Sequence, residues 1–343
     1  MVLRNGFKLI ALIGVICVAS LGYAKDIDGH SISAAKKNIA LLTDNKYVHD
    51  ATVALVSMKE AAVPLLVDAA RNPNAKPLQR IIIIEILGDI GSPLATDSLL
   101  TDLKDPNFKI RRAAARSLGS TGDKKALEGL KTALTDFDAE VRYLATRSLQ
   151  QIGDPSLVDT FLKLIDDPDV RIKILAVDGL GDAKDEKAVA KLSTLTEDPN
   201  DDVRKSLANA LGKIGTKSVT PALNKLLEDR NIDVRRNALR GLGKVGDPSS
   251  IPYLINVADR DQRDLRCAAT LALGDIGTDE VVPELKKLLK DEVMDVRACA
   301  VRALAKMDRS EFKSDFEPLL TDESTKVRRE AQVALTEMNS KEK

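Results

Sequence analysis

An arginine, once a lysine, returns every 31 residues along most of this 343-residue chain: Arg80, Arg111, Arg142, Lys173, Arg204, Arg235, Arg266, Arg297 and Arg328, with His49 at the first step. A guanidinium is a planar fork of donors that fits a carboxylate or a carbonyl pair. Acids often stand two positions before it, at Glu140, Asp202, Asp233, Asp264 and Asp295. They favour a helix N-terminus through its dipole. The chemistry on offer is pairing. Arg111, Arg142, Arg204, Arg235, Arg266, Arg297 and Arg328 are therefore read as inter-repeat struts to such acids and to turn carbonyls.

Reactive side chains are otherwise scarce. The two histidines, His30 and His49, lie at the N-terminal edge, and no Ser/His/Asp or Cys/His set can be assembled from them. His49 reads as a variant in a terminal cap repeat. The glycine pairs follow helices instead of preceding them, unlike a phosphate loop. The run Asp259 to Asp264 alternates acids but lacks the glycine and final glutamate of a calcium loop, and reads as an inter-helix turn. Beyond residue 24 the cysteines are Cys267 and Cys299. Neighbouring helices sit about 8–10 Å apart and a disulfide needs Cα atoms within about 7 Å, so two half-buried free thiols are expected. An oxidising compartment would keep the disulfide open as an alternative. No catalytic residue, cofactor site or metal site is predicted, and the chain is read as not an enzyme.

The elements that position the ladder repeat with it. The fullest copy is Asn231–Gly246. Before each Arg stands Ile110, Val141, Ile172, Val203, Val234, Leu265, Val296 or Val327. Three residues after it comes Ala114, Ala145, Ala176, Ala238, Ala269, Ala300 or Ala331, and Leu follows at seven. Spacings of four and four put these on one face of a helix, here called helix B. A Leu-Gly-x-Ile-Gly loop ends it, as in Leu211–Gly215, with glycine free to turn left-handed. Ser92, Asp123, Asp154, Asp185, Thr216, Asp247 and Thr278 are read as caps of a preceding helix A, with Pro93, Pro155 and Pro248 next in the first turn. In the turns Asp105-Pro106, Asp167-Pro168 and Asp198-Pro199, Asp is read as the cap of helix B. A fixed period of this length marks a solenoid. The expectation is an all-α, right-handed α-solenoid of about ten 31-residue helix pairs. It has an N-terminal cap repeat at 31–60, central repeats at 61–308 and a C-terminal cap repeat at 309–343, ending in a frayed tail from Met338.

Charge is balanced, with 52 basic and 52 acidic residues, and there is no Trp among few aromatics. That removes a global pull towards nucleic acid or acidic membranes and argues against base-stacking platforms. Arg4 and Lys8 precede an uncharged apolar run, Leu9–Leu21, and then Gly22-Tyr23-Ala24. This is the pattern of a cleaved signal peptide over residues 1–24, too short for a comfortable membrane span. An exported protein of the periplasm or extracellular space is expected, with an N-terminal membrane anchor as the alternative. Ile16 before Cys17 argues against lipidation.

The Asp-Val-Arg, Ala-at-three, Leu-Gly-x-Ile-Gly and Asp-Pro pattern resembles HEAT repeats of the short, phycobilisome-lyase type, an armadillo-type fold, over nearly all of residues 25–343. The resemblance implies the solenoid and a protein-interaction role. It also implies an alternative, a lyase-like or chaperone-like protein presenting a chromophore or cofactor to an acceptor. Hydroxylase relatives carry His-Glu pairs for iron, and no His here is followed by Glu. The reading is a non-catalytic scaffold, expected to be a monomer in its mature form, that binds a protein partner along a concave helix-B face. Positions one and five after the ladder Arg share a helical face away from Val, Ala and Leu. They nominate Arg112, Arg116, Tyr143, Arg147, Lys205, Arg236, Arg240 and Arg302, a basic-leaning surface. Nucleic acid is the least favoured partner.

Overall fold

A computed structural model of the chain describes residues 29–260 and 262–341. The segment read as a signal peptide, residues 1–24, lies outside them. All regular structure among the described residues is helical, and its contacts divide into two units that meet in sequence at Asp154 and Pro155.

The first unit holds α1 (Gly29–Leu41), α2 (Val48–Ser57), α3 (Val63–Ala70), α4 (Pro77–Ile90), α5 (Thr96–Asp102), α6 (Phe108–Thr121), α7 (Leu127–Ala133) and α8 (Ala139–Ile152). The second holds α9 (Val158–Leu164), α10 (Val170–Ala183), α11 (Val189–Leu192), α12 (Asp201–Ile214), α13 (Thr220–Leu226), α14 (Ile232–Val245), α15 (Ile251–Arg260), α16 (Arg263–Ile276), α17 (Val282–Leu288), α18 (Met294–Lys306), α19 (Lys313–Phe316) and α20 (Thr325–Lys341). Long helices B alternate with short helices A. In the first unit α4, α6 and α8 pack in a row, and in the second α10, α12, α14, α16, α18 and α20 do so. No helix among the described residues is long and apolar enough to cross a membrane.

The repeated apolar letters are the core. Val203, Leu207 and Leu211 of α12 and Val234, Ala238 and Leu242 of α14 are fully buried. Ser92, Asp123, Asp185 and Asp247 accept backbone N–H bonds two residues on, capping a short 3₁₀ turn that leads into helix A. Thr216 and Thr278 make no such cap bond. Helix B is capped two residues later than the turn aspartates suggest, by Asn107, Asp138, Asp169, Asn200 and Asn231. The Pro of the turn therefore precedes the helix. Residue 338 is also not in a frayed tail: α20 runs on to Lys341, and Met338 is 5 % exposed because it extends the apolar stripe of Val327, Ala331 and Leu335.

The two glycines of each loop do different work. The second, as at Gly215 and Gly246, is left-handed and ends the helix. The first lies inside helix B, where the next helix comes too close for a side chain. A Cβ on Gly181 would sit 2.6 Å from Ala210 Cα, and one on Gly274 2.6 Å from Ala303 Cα. This close approach explains Cys267 and Cys299. Their Cα atoms are 5.6 Å apart and their sulfurs are joined as a disulfide between α16 and α18. The expectation of free thiols used a helix spacing too wide for a seam of Gly and Ala.

Candidate protein-binding face

The ladder arginines are consumed by the fold's own turns. Arg111 donates through Nε and Nη2 to both oxygens of Asp136 (2.7 and 2.9 Å) and through Nη1 to the Asp105 carbonyl at 2.9 Å. Arg204 makes the same set to Asp229 and the Asp198 carbonyl, and Arg297 to Asp322 and the Asp291 carbonyl. Arg142, Arg235 and Arg328 donate to the carbonyls of Asp136, Asp229 and Asp322. Lys173 reaches Asp198 at 2.7 Å. Each turn aspartate also accepts the backbone N–H two residues on, as Asp136 does from Asp138 and Asp229 from Asn231.

The fork's partner is thus the aspartate 25 residues on, not the acid two positions before. Asp202 and Asp233 bond Lys205 and Arg236 instead, and Asp295 bonds Lys326 and Arg263. The Arg111 guanidinium holds the Asp136 carboxyl below the usual range, and Arg297 does the same to Asp322. At Asp229 burial pushes upward, but Arg204 and the Asn231 N–H outweigh it and the carboxyl lies low.

One rung differs. Arg260 stands where other turns carry the aspartate, and α15 runs to ten residues where α13 has seven. Arg266 accordingly donates to the Ala258 carbonyl while its Nη2 keeps Asp291. The alternating acids from Asp259 are thus mostly helical, with Gln262 preceding α16 and residue 261 outside the described residues.

A profile of HEAT repeats matches four overlapping stretches, residues 63–136, 127–207, 189–269 and 256–336. The chain belongs to the HEAT-repeat family. Among solved structures, an engineered protein is 20% identical at a TM-score of 0.54, with 89% of this chain and 99% of that one covered. The Escherichia coli protein YibA is 22% identical at 0.53, covering 76% and 97%. These show the fold alone. The CpcE–CpcF complex of phycocyanin lyase from Nostoc is 20% identical over 71% of this chain and 94% of that one, and its TM-score of 0.41 is too low to carry an argument. No curated protein matches significantly.

Within this HEAT framework the eight nominated residues fall into two groups. Those one position after the ladder Arg are tied down. Arg112 grips both oxygens of Asp138 at 2.7 Å and lies 4.7 Å from the Phe108 ring, holding the Asp138 carboxyl below its ordinary range. Lys205 pairs with Asp202 at 2.6 Å and Arg236 with Asp233 at 2.5 Å. Tyr143 is half-buried on α8. Those five positions after it are exposed. Arg116 and Arg147, on neighbouring α6 and α8, make no direct ion pair with any described residue. Arg240 donates to Asn237 Oδ1 at 3.4 Å. Arg302 touches Cys299 Sγ at 3.0 Å and Glu330 at 3.9 Å.

The row nine positions after the ladder Arg escaped the sequence reading, and it brings acids to the same face. Lys213 pairs with Asp182 at 2.6 Å, and Lys306 pairs with Asp275. Half-buried Asp178 accepts from Ser206 at 2.6 Å, and burial pushes its carboxyl up against that bond and the Lys213 charge. The second unit therefore neutralises much of its own face. Between α18 and α20 it is a groove with Arg302 and Lys306 on one wall and Glu330, Val333 and Glu337 on the other. Among the described residues no cluster of three or more His, Cys, Asp or Glu is placed to hold a metal ion.

Proposed function

We propose that the protein is a non-catalytic scaffold of the cell envelope or periplasm that holds a protein partner along its helix-B face. The observation that carries this reading is the pair Arg116 and Arg147. They stand exposed on adjacent helices B, and neither makes a direct ion pair with a described residue, the Glu85 carboxylate acting on Arg116 only at a distance. Bringing a partner's carboxylates to these side chains breaks no existing ion pair, whereas engaging Arg112 means competing with Asp138 in a bidentate bond. The preferred partner segment is acidic and runs across successive helices B. Nucleic acid is a poor fit to a chain with no net charge.

Export rests on residues 1–24, and the Cys267–Cys299 pairing supports it, because disulfides persist in oxidising compartments. N-terminal sequencing of the protein from a periplasmic extract, with alkylation of any free thiol, tests location: a chain starting near Lys25 with no alkylated cysteine is the expected result. For binding, the mature protein is used to capture partners from its own cell envelope, in parallel with the Arg116→Glu/Arg147→Glu variant. Loss of one dominant partner in the variant supports the reading, and an identical set of captured proteins removes it.

A further inference from the structure

The turn edge of the first unit carries apolar side chains that its core does not use. Phe137 stands between Asp136 and Asp138, where most other turns carry proline (Pro106, Pro168, Pro199) or a charge (Arg230, Glu292, Glu323). It is fully exposed, at 103%. Leu78, the second residue of α4, and Phe108, the first of α6, are 64% and 40% exposed. The three therefore lie at or just before the N-terminal ends of successive helices B, α4, α6 and α8. Arg112 joins two of them. It lies 4.7 Å from the Phe108 ring and bonds both oxygens of Asp138, the residue after Phe137.

The charges of this edge are sorted by sign. Its aspartates are already held by arginines: Asp105 by Arg80 at 2.8 Å, Asp136 by Arg111 at 2.7 Å and Asp138 by Arg112 at 2.7 Å. Half-buried Glu140 also acts on Arg112. Lys76, Lys104 and Lys109 are exposed and make no ion pair with a described residue. The edge thus presents apolar side chains and ammonium groups together, with its carboxylates occupied. A single exposed apolar residue needs no explanation. A fully exposed phenylalanine where the repeat prefers proline or a charge, with two further apolar side chains and three lysines along the same edge, marks an interaction surface.

We propose that this edge docks on an anionic lipid bilayer, with Phe137 entering the interface, Phe108 and Leu78 beside it, and Lys76, Lys104 and Lys109 facing the headgroups. A protruding ring suits the soft boundary between headgroups and acyl chains. Charge complementarity supplies the rest, since each lysine near a negative surface strengthens binding about fivefold. The chain as a whole carries no net charge, so the attraction is confined to this edge and is short in range. Arg112 keeps its bond to Asp138 throughout. The proposal does not depend on the partner face described above.

The chain contains no tryptophan, so Phe137→Trp makes a single fluorescent reporter at the edge. The mature variant is titrated with vesicles of phosphatidylglycerol and phosphatidylcholine in equal parts. Pure phosphatidylcholine vesicles and sodium phosphate serve as controls. A saturable blue shift with the anionic vesicles is expected, quenched by bromine-labelled acyl chains and absent with phosphate. In sedimentation with the same vesicles, Phe137→Ser and Lys104→Gln/Lys109→Gln should each bind at least about tenfold more weakly than wild type. Both should keep the wild-type Tm, because the altered side chains are exposed. No blue shift with anionic vesicles, an equal shift with neutral ones, or undiminished binding by Phe137→Ser overturns the proposal. So does a shift that only a lipid-free extract of envelope proteins produces, which would give the edge to a protein.

Discussion

Arg204 holds Asp229 across 25 residues of chain, with Nε 2.6 Å from Oδ2 and Nη2 2.9 Å from Oδ1. Both side chains are about 5% exposed, and Nη1 meanwhile holds the Asp198 carbonyl of its own turn at 2.6 Å. One guanidinium thus joins two turns of successive repeats. Removing it leaves Asp229 buried without its counter-charge, a loss of about 3–5 kcal/mol. Arg204→Ala should lower the Tm by about 5–10 °C in a thermal melt followed by circular dichroism. A change within a degree would mean that the strut is dispensable.

Acid should weaken the same struts. The carboxyls of Asp136, Asp229 and Asp322 lie below their ordinary range, and Asp201 is lowered to about 2 by Asn231, Arg204 and Arg230. A carboxylate with a depressed folded value adds stability above its unfolded value, about 3.9, and loses it as pH falls through the folded one. Asp102 and Asp178, raised by burial, act in the opposite sense. The lowered group prevails by number and by its place in the ladder. Melts recorded from pH 6 downwards should show Tm falling mainly between about pH 4 and 2, and a Tm that holds or rises there contradicts the assignment.

The Cys267–Cys299 bond pins α16 to α18, closing a separation of 32 residues. Constraining an unfolded loop of that size contributes about 3–4 kcal/mol. Cys267→Ser/Cys299→Ser should lower the Tm of the second unit and abolish the effect of reductant. Equal melting of the oxidised and reduced wild-type protein would remove the staple.

Two substitutions on α10 and its end should move stability in opposite directions. Lys184 takes the left-handed position that Gly215 and Gly246 occupy elsewhere, at φ 53°. Lys184→Gly relieves that conformation and should add about 0.5–1 kcal/mol. Gly181→Ala drives a Cβ into Ala210 and should cost about 1–3 kcal/mol, more than the roughly 1 kcal/mol that alanine gains in a helix. Paired denaturant titrations decide it, and an alanine variant as stable as wild type would show that the helix seam has room to open.

Periodicity made the architecture legible because Val234, Ala238 and Leu242 recur with no insertion, and one helical face needs nothing more. Partner choice within the ladder was not legible. Asp229 lies 25 residues from Arg204 and comes near only when two turns stack, while Asp202 is near in sequence but points to Lys205. A signal was present, since an aspartate follows most ladder arginines by 25 positions, but the Asp-Pro turn offered a local cap as explanation. The disulfide was hidden for a similar reason. Its geometry depends on the Gly274–Ala303 contact, which a generic helix spacing does not contain. Of the nominated surface, +1 residues such as Arg112 became struts once their acids were in place, and the +9 acids came into view only when successive helices B lay side by side.

The division of labour on helix B is tested most directly by melting Arg204→Ala beside Arg116→Glu/Arg147→Glu under identical conditions. The first should lose about 5–10 °C. The second should stay within about 2 °C of wild type, as surface substitutions away from such pairs do. A large loss in the second with none in the first would contradict the assignment of the ladder to the fold and of the exposed arginines to a partner.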